Sequence, residues 1–83
     1  DASIFPNPTS NTCALKFNLL QAKTLTINIF NVIGEKVYSL PKNVYEEGTQ
    51  EIKLNTHNLS NGMYFVQISD GTRAISKPLV ISN

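Results

Sequence analysis

Residues 61–71 carry the clearest structural signal in the chain, and they read Asn61-Gly62-Met63-Tyr64-Phe65-Val66-Gln67-Ile68-Ser69-Asp70-Gly71. Within this stretch the apolar side chains of Tyr64, Val66 and Ile68 fall on every second residue. Because successive side chains of a β-strand point to opposite faces, this alternation predicts a strand with one buried face. Turn-forming dipeptides bracket the strand, and Asp70-Gly71 is a pair that suits a type I′ hairpin turn.

The same alternation recurs along the rest of the chain, at residues 13–19, 25–29, 52–54 and 75–81. Residues 13–23 also fit a helix, since Leu15, Leu19 and Ala22 are spaced at helical intervals. A strand is favoured there because the period of two is better populated and no glycine ends a helix. About seven short strands, spaced by turn residues, predict an all-β fold: an antiparallel immunoglobulin-like β-sandwich.

The segments between the strands are rich in turn formers. Asn31–Gly34 predicts a turn, residues 43–48 predict a longer polar connection, and Pro6 and Pro8 predict an extended start. With 83 residues the chain is expected to form a single domain, 1–83, whose first four residues are the end of a linker. The absence of an initiator methionine indicates a fragment or a processed product.

The final strand contains two irregular positions. Pro78 cannot donate a backbone hydrogen bond, and Lys77 interrupts the apolar set of Ile75, Leu79 and Ile81. We therefore expect either an edge strand near the C-terminus or a bulge that resets its register.

Composition excludes several classes of function. Seven Lys and Arg against six Asp and Glu give a net charge of +1, too little for a basic nucleic-acid-binding face. No apolar run approaches the length of about 20 residues that a membrane-spanning helix needs. The single cysteine, Cys13, cannot form an internal disulfide, and we expect it to be buried as a small apolar residue.

Residues capable of catalysis are few and scattered. His57 is the only histidine, and although Ser60 is close in sequence, no third residue is placed to orient the imidazole. Glu46 and Glu47 are adjacent and would point in opposite directions in an extended chain. We predict that these residues lie in solvated loops, that the protein is not an enzyme, and that it has no catalytic, cofactor-binding or metal-binding residues and no cofactor.

Exposed aromatic rings would be the main indication of a carbohydrate-binding module. The candidates are Phe30, Tyr38, Tyr45 and Phe65. Phe30 and Phe65 fall opposite the main apolar sets of their strands, and packing in a second layer is favoured over a ligand platform. An accessory adhesion or carbohydrate-binding β-sandwich of a secreted enzyme remains the alternative function.

Four blocks of sequence, taken in order, resemble one protein family. They are Phe5-Pro6-Asn7-Pro8-Thr9-Ser10-Asn11, then Ile27-Asn28-Ile29-Phe30-Asn31-Val32-Ile33-Gly34-Glu35-Lys36-Val37, then Asn58-Leu59-Ser60-Asn61-Gly62-Met63-Tyr64-Phe65-Val66, and finally Lys77-Pro78-Leu79-Val80-Ile81. Together they resemble the C-terminal sorting domain of the type IX secretion system of Bacteroidota. The resemblance extends over nearly the whole chain.

This resemblance implies a non-catalytic secretion signal with an immunoglobulin-like fold. Such a domain directs a fused N-terminal cargo through the periplasm and across the outer membrane to the cell surface or the medium. The implied partners are the outer-membrane translocon, a shuttle protein and a surface sortase that removes the domain, and no nucleic acid or small-molecule substrate is expected.

Physical roles can be assigned to residues within these blocks. We expect structural roles for Gly34 and Gly62, which would supply positive φ; for Asn31 and Asn61, which would cap turns; and for Tyr64, whose ring would enter the core with its hydroxyl at the rim.

A partner protein could also recognise a terminal edge strand by adding a strand of its own to it. The candidate recognition residues are Lys77, Leu79, Val80 and Ile81.

Overall fold

The computed structural model describes residues 2–83 and contains seven β-strands. In chain order they are β1 Ala2–Phe5, β2 Thr12–Leu19, β3 Lys23–Asn31, β4 Lys36–Tyr45, β5 Gly48–Asn55, β6 Gly62–Ser69 and β7 Ala74–Ile81. No helix occurs among the described residues. The predicted all-β fold of seven short strands is confirmed.

The strands form two antiparallel sheets that face each other. One sheet has the order β1-β2-β5 and the other has the order β4-β3-β6-β7. The chain crosses between the two sheets three times, from β2 to β3, from β4 to β5 and from β5 to β6. This arrangement is the immunoglobulin-like sandwich expected from the spacing of the strands.

Residues 13–19 form a strand, so the helical alternative for residues 13–23 is wrong. In β2 the side chains of Cys13, Leu15 and Phe17 are buried, while those of Lys16 and Asn18 are exposed. A helix would have placed Leu15 and Leu19 on one face and left Phe17 outside it. Pairing with β1 on one side and β5 on the other stabilises the extended form.

The core lies between the two sheets and is made of one inward-facing set from each strand except β4. Its members are Ala2, Cys13, Leu15, Phe17, Leu25, Ile27, Ile29, Leu54, Tyr64, Val66, Ile68, Leu79 and Ile81. Cys13 is 4% exposed, as predicted, and its burial raises the pKa of the thiol. β4 contributes to the core only through three half-buried residues that pack against it, Tyr38, Leu40 and Tyr45.

The turn between β3 and β4 forms as the sequence predicts. Asn31 Oδ1 accepts hydrogen bonds from the backbone N–H groups of Ile33 and Glu35, at 3.1 and 2.9 Å. Gly34 has a φ of 87°, and its N–H donates to the Asn31 carbonyl at 3.0 Å. The asparagine therefore caps the turn while the glycine provides the left-handed residue that the turn requires.

The expectation of a type I′ turn at Asp70-Gly71 is wrong. That turn needs positive φ at both central residues, but among the described residues only glycines have positive φ. Instead, β6 and β7 are joined by four residues, and the N–H of Asp70 donates to the Arg73 carbonyl at 3.0 Å. Asp70 Oδ1 accepts from the N–H groups of Thr72 and Arg73, which stabilises the longer loop.

The predicted polar connection at residues 43–48 is also wrong, because β4 continues to Tyr45 and β5 begins at Gly48. β4 carries no regular apolar alternation that would reveal it in the sequence. Its register against β3 shifts between Leu25 and Ile27, where Leu25 pairs with Asn43 and Ile27 pairs with Leu40. This bulge lets Pro41 and Lys42 lie within the strand and breaks the period of two.

Ala2–Phe5 forms a strand, which contradicts the prediction that the first four residues are the end of a linker. β1 pairs with β2 over its full length, from Ala2 opposite Phe17 to Phe5 opposite Ala14. Ala2 is 8% exposed and belongs to the core. Asp1 lies outside the described residues.

Candidate recognition edge at the C-terminal strand

β7 is the outermost strand of the four-stranded sheet, so the predicted edge position of Pro78 is confirmed. Its register against β6 is continuous from Ala74 opposite Ser69 to Ile81 opposite Gly62, without the alternative bulge. The N–H of Asp70 bonds to the carbonyl of Arg73 at the turn, and antiparallel alternation then directs the N–H and C=O of residues 75, 77, 79 and 81 toward β6. The backbone groups of residues 74, 76, 78, 80 and 82 point away from the sheet, and we call this row the outer edge of β7.

The four candidate recognition residues do not form one exposed set. Leu79 is 0% exposed and Ile81 is 1% exposed, and both pack in the core. Lys77 shares their side of the strand by alternation and is half-buried, whereas Val80 is half-buried on the other side. A partner that docks on the folded domain can reach the Val80 side chain and the backbone edge, but it cannot reach Leu79 or Ile81.

The N-terminal segment lies along the outer edge of β7. Asn7 Nδ2 donates to the Pro78 carbonyl at 3.0 Å, and the N–H of Val80 donates to Asn7 Oδ1 at 2.9 Å. The N–H of Thr9 donates to the Val80 carbonyl, and the N–H of Ser82 donates to the Thr9 carbonyl, both at 2.9 Å. Thr9 and Ile81 thereby form a parallel bridge.

Buried threonines hold this segment in place. Thr9 is 3% exposed, and its hydroxyl donates to the Thr12 carbonyl at the start of β2. Thr56 is 0% exposed, and both its N–H and its hydroxyl donate to the Asn11 carbonyl, at 2.7 and 2.9 Å. These contacts fix the segment where it leaves β7 and enters β2.

Sequence reasoning did not identify Asn7 and Thr9 as partners of the C-terminal strand. The two segments are more than 70 residues apart, and no local pattern links residues at that distance. The only available signal was the chemistry of Asn7, since an asparagine amide carries the same donor and acceptor as a peptide group and stands between two prolines that cannot continue a strand.

The motif residues occupy turns and the core. Tyr64 is 6% exposed, and its hydroxyl donates to the Ser60 carbonyl at 2.6 Å, so its ring enters the core with the hydroxyl at the rim, as expected. Gly62 has a φ of 151°. Asn61 does not bond its own turn as predicted, because Asn61 Oδ1 accepts from the N–H of Asn83 at 3.0 Å and so holds the end of the chain.

The aromatic candidates divide into two groups. Tyr38 and Tyr45 pack against the core, and Tyr45 meets Phe17 edge-on with ring centroids 6.0 Å apart. Phe30 and Phe65 pair across β3 and β6 on the outer face of the sheet, and Phe65 is 37% exposed. No second layer covers this pair within residues 2–83, so the expected second-layer packing is not observed.

The residues considered for catalysis have different partners from one another. His57 is exposed, and its Nδ1 lies 3.4 Å from Asn11 Oδ1, while Ser60 Oγ lies 3.3 Å from the Tyr64 hydroxyl. Glu46 and Glu47 are exposed in the turn between β4 and β5. In the part of the chain that the structure describes, no three His, Cys, Asp or Glu residues are grouped so as to hold a metal ion.

A shallow groove of about 220 Å³ opens at the end of the sandwich where β6 turns into β7. Its floor is apolar, with Phe17, Leu25 and Ile68, and its rim carries the ion pair between Lys23 Nζ and Asp70 Oδ2 at 3.5 Å. Hydrogen bonds from the backbone N–H groups of Arg73 and Thr72, together with the nearby Lys23, lower the pKa of Asp70. The rim is thus a salt-bridged turn, and none of its groups is arranged as an acid–base pair.

Over residues 2–83, no helix is both long enough and apolar enough to cross a membrane.

Comparison with known proteins identifies one family. Residues 3–82 match the family model described as "Secretion system C-terminal sorting domain". No curated protein matches the chain. The matched range begins inside β1 and ends just after β7, so it includes the whole sandwich and both segments that meet at the outer edge of β7.

Proposed function

Because this chain belongs to the family of type IX secretion C-terminal sorting domains, we propose that it is a non-catalytic signal that directs a fused cargo protein through the translocon and across the outer membrane. The observation that carries the proposal is the match over residues 3–82, which is nearly the entire chain. The cargo crosses the periplasm and is delivered to the cell surface or the medium. A shuttle protein accompanies it, and a surface sortase removes the domain.

The proposed recognition element is the C-terminal strand, with Lys77, Leu79, Val80 and Ile81. Its edge position supports this assignment, since an edge strand offers main-chain donors and acceptors to an added strand. Val80 and the half-buried Lys77 are the side chains that a partner can contact in the folded domain. Leu79 and Ile81 act indirectly, because their burial fixes the strand in the sheet. Asn31, Gly34, Gly62 and Tyr64 act structurally by maintaining turns and core, and Asn61 acts structurally by holding Asn83 at the end of the chain.

A reporter fusion tests the export function. The reporter is joined to the N-terminus of this domain in a host with a type IX translocon, and its amount in the medium and on the cell surface is measured. We expect export with the domain and none without it. Retention of the fusion in the periplasm, with the domain folded, would contradict the proposal.

Testing the C-terminal strand requires substitutions that keep the domain folded. Deleting residues 77–83 would also remove Leu79 and Ile81 from the core, so lost export could reflect unfolding alone. Val80→Thr and Lys77→Gln change the accessible side chains and nearly preserve their shape. Their matched controls are Val37→Thr and Lys42→Gln in β4, at the opposite edge of the same sheet.

We expect the β7 substitutions to reduce export and the β4 controls to leave it unchanged. Equal export from both sets would show that these two β7 side chains do not contribute to recognition. Thermal unfolding of the four isolated variants identifies any whose export is reduced by loss of stability.

A second candidate function, an adhesion or carbohydrate-binding module, is favoured by the Phe30–Phe65 pair on the outer face of the sheet, in which Phe65 is exposed and Phe30 is half-buried. Aromatic rings on an open sheet face can stack on sugar rings. Glycan binding by the isolated domain that is lost in Phe65→Ala, together with no export of the reporter, would support this function over sorting.

A further inference from the structure

The outer edge of β7 is divided into two halves. The bonds from Asn7 and Thr9 reach residues 78, 80 and 82, while alternation places the backbone groups of Ala74 and Ser76 on the same edge farther along. Ala74 and Ser76 are exposed, and within the described residues no hydrogen bond joins them to Asn7–Thr9. One half of the edge is therefore covered by the chain itself.

The covering segment reproduces the hydrogen bonds of a parallel strand. In a parallel pair, each residue donates to a carbonyl before its partner and accepts from an N–H after it. The main chain of Thr9 does this around Ile81, donating to Val80 and accepting from Ser82. The side-chain amide of Asn7 does the same around Leu79, donating to Pro78 and accepting from Val80. Asn7 and Thr9 therefore make the hydrogen bonds that a parallel strand would make to residues 78–82 of β7.

This cover is held more weakly at Asn7 than at Thr9, which is 3% exposed and bonded to the Thr12 carbonyl, so displacement begins at Asn7. Asn7 and Pro8 are exposed, and both bonds of Asn7 lie at the surface. Each such bond changes an opening equilibrium by a factor of roughly 2 to 13, because water replaces it once it is broken. An incoming main chain would recover these bonds and add those at Ala74 and Ser76.

Resting on the proposed sorting function, we propose that the outer edge of β7 is the docking edge for an extended peptide strand of the secretion machinery, and that Asn7–Thr9 covers residues 78–82 until that strand displaces it. The exposed residues Ala74–Ser76 are the first point of contact. The covered half is engaged when the N-terminal segment leaves. The covered half of the edge does not pair with other chains before docking.

Amide hydrogen exchange on the isolated chain tests the cover. In Asn7→Ala the N–H of Val80 loses its acceptor, so its exchange should become roughly tenfold faster. The N–H groups of Leu79 and Ile81, which point to β6, should exchange at the wild-type rate. Asn7→Asp keeps an oxygen acceptor and should preserve the protection of Val80, and Asn43→Ala in β4 is the control for loss of an exposed asparagine. Unchanged exchange at Val80 in Asn7→Ala would overturn the inference.

A reversible lock tests displacement. The register of the Thr9–Ile81 bridge places Ser10 opposite Ser82, both exposed, and neighbouring strands lie about 5 Å apart, within disulfide range. Ser10→Cys/Ser82→Cys is introduced into the reporter fusion with Cys13→Ala, which avoids mispairing. We expect export at least fivefold below that of either single-cysteine fusion, recovering when a reductant is added.

The outcomes separate the two proposals. If the disulfide-locked fusion is exported as well as the single-cysteine fusions, the cover is not displaced and this inference fails, while the sorting function stands. If the wild-type fusion itself is not exported, the sorting function fails and the docking partner fails with it. The exchange experiment still reports whether Asn7 protects Val80 in that case.

Discussion

The hydroxyl of Tyr64 donates a hydrogen bond at the edge of the core. Its bond to the Ser60 carbonyl is 2.6 Å long and partly shielded from water. We expect Tyr64→Phe to lower the free energy of unfolding by about 0.5–1.5 kcal/mol, since the ring remains while the bond to the Ser60 carbonyl and the longer contact with Ser60 Oγ are lost. Urea denaturation measures the change. The control is Tyr38→Phe, whose hydroxyl accepts only a longer, exposed bond from the Asn55 N–H at 3.4 Å. An equal loss in both variants would contradict this assignment.

Asp70 makes the stability of the folded state depend on pH in the acid range. The N–H groups of Arg73 and Thr72, and then Lys23, lower its pKa below the usual 3.8, so the carboxylate stabilises the folded state above the unfolded pKa. This stability is lost as the pH falls through the lower folded pKa. In Asp70→Asn, which retains an oxygen acceptor, unfolding free energy should fall less between about pH 5 and pH 2 than in wild type. Glu47→Gln, in an exposed turn, is the control. A variant that follows the wild-type curve would contradict the prediction.

For single residues, the sequence predicted burial or backbone conformation correctly where one chemical property of the residue decides it. Cys13 and Tyr64 are buried because they lie on the apolar side of an alternating strand, and Gly34 adopts positive φ as expected. Asp70 was assigned to the wrong type of turn, and Asn61 was assigned to the wrong contact. Their side chains can accept bonds from several neighbouring N–H groups, and the geometry of the surrounding loop decides which one is chosen.

Among the elements, the β3–β4 turn depends most directly on a single residue. Nothing lies within 4 Å of a methyl group placed on Gly34, so Gly34→Ala tests backbone strain alone at a φ of 87°. We expect a loss of about 1–2 kcal/mol in unfolding free energy. Val32→Ala, in the same turn and 68% exposed in wild type, should change stability by less than about 0.5 kcal/mol. Chemical denaturation of both variants checks the prediction, and similar losses would argue against strain.

Strands in which apolar and polar residues alternate regularly could be located from the sequence, whereas strands without that alternation could not. β2, β3 and β6 each place three alternate residues in the core, and β5 alternates half-buried with exposed residues until Leu54 enters the core. β4 was missed because the bulge around Pro41 and Lys42 shifts its register. β1 was mistaken for a linker because four residues are too few to show a period, and its pairing with β2 is not a local property.

For the molecule as a whole, the exposed edges of the two sheets differ in how they are protected. β4 is bulged, β1 is short, and the covered half of β7 is bonded to Asn7 and Thr9. β5 is a regular edge of eight residues, and its outer face carries the exposed charges of Glu51 and Lys53. Charged residues on such an edge oppose pairing with other chains.

We therefore expect Lys53→Val to cause concentration-dependent association, because it leaves a regular edge with an apolar residue. Lys16→Val is the matched control, since Lys16 lies on the same face but in the central strand β2. Sedimentation velocity over a range of concentrations distinguishes the two variants. Association of both would indicate simple surface hydrophobicity, and association of neither would show that Lys53 does not protect the edge.

The sequence was sufficient for the number of strands and the sandwich but not for the contact between the ends of the chain. The apolar alternation specifies which faces are buried, whereas the cover on β7 depends on a path around both sheets. Leu79 and Ile81 were chosen as recognition residues from their place in a motif, and burial assigns them to the core.

The burial of Leu79 and Ile81 has a consequence for biosynthesis. A nascent chain that has reached β6 still lacks these two residues, and the far side of β6 has no neighbour. The sandwich cannot close until β7 emerges, so a product that stops after β6 displays an open apolar interior and an unpaired outer edge of β6. Quality-control chaperones and proteases act on such surfaces. We therefore expect chains that stop before β7 to be degraded faster than the complete domain.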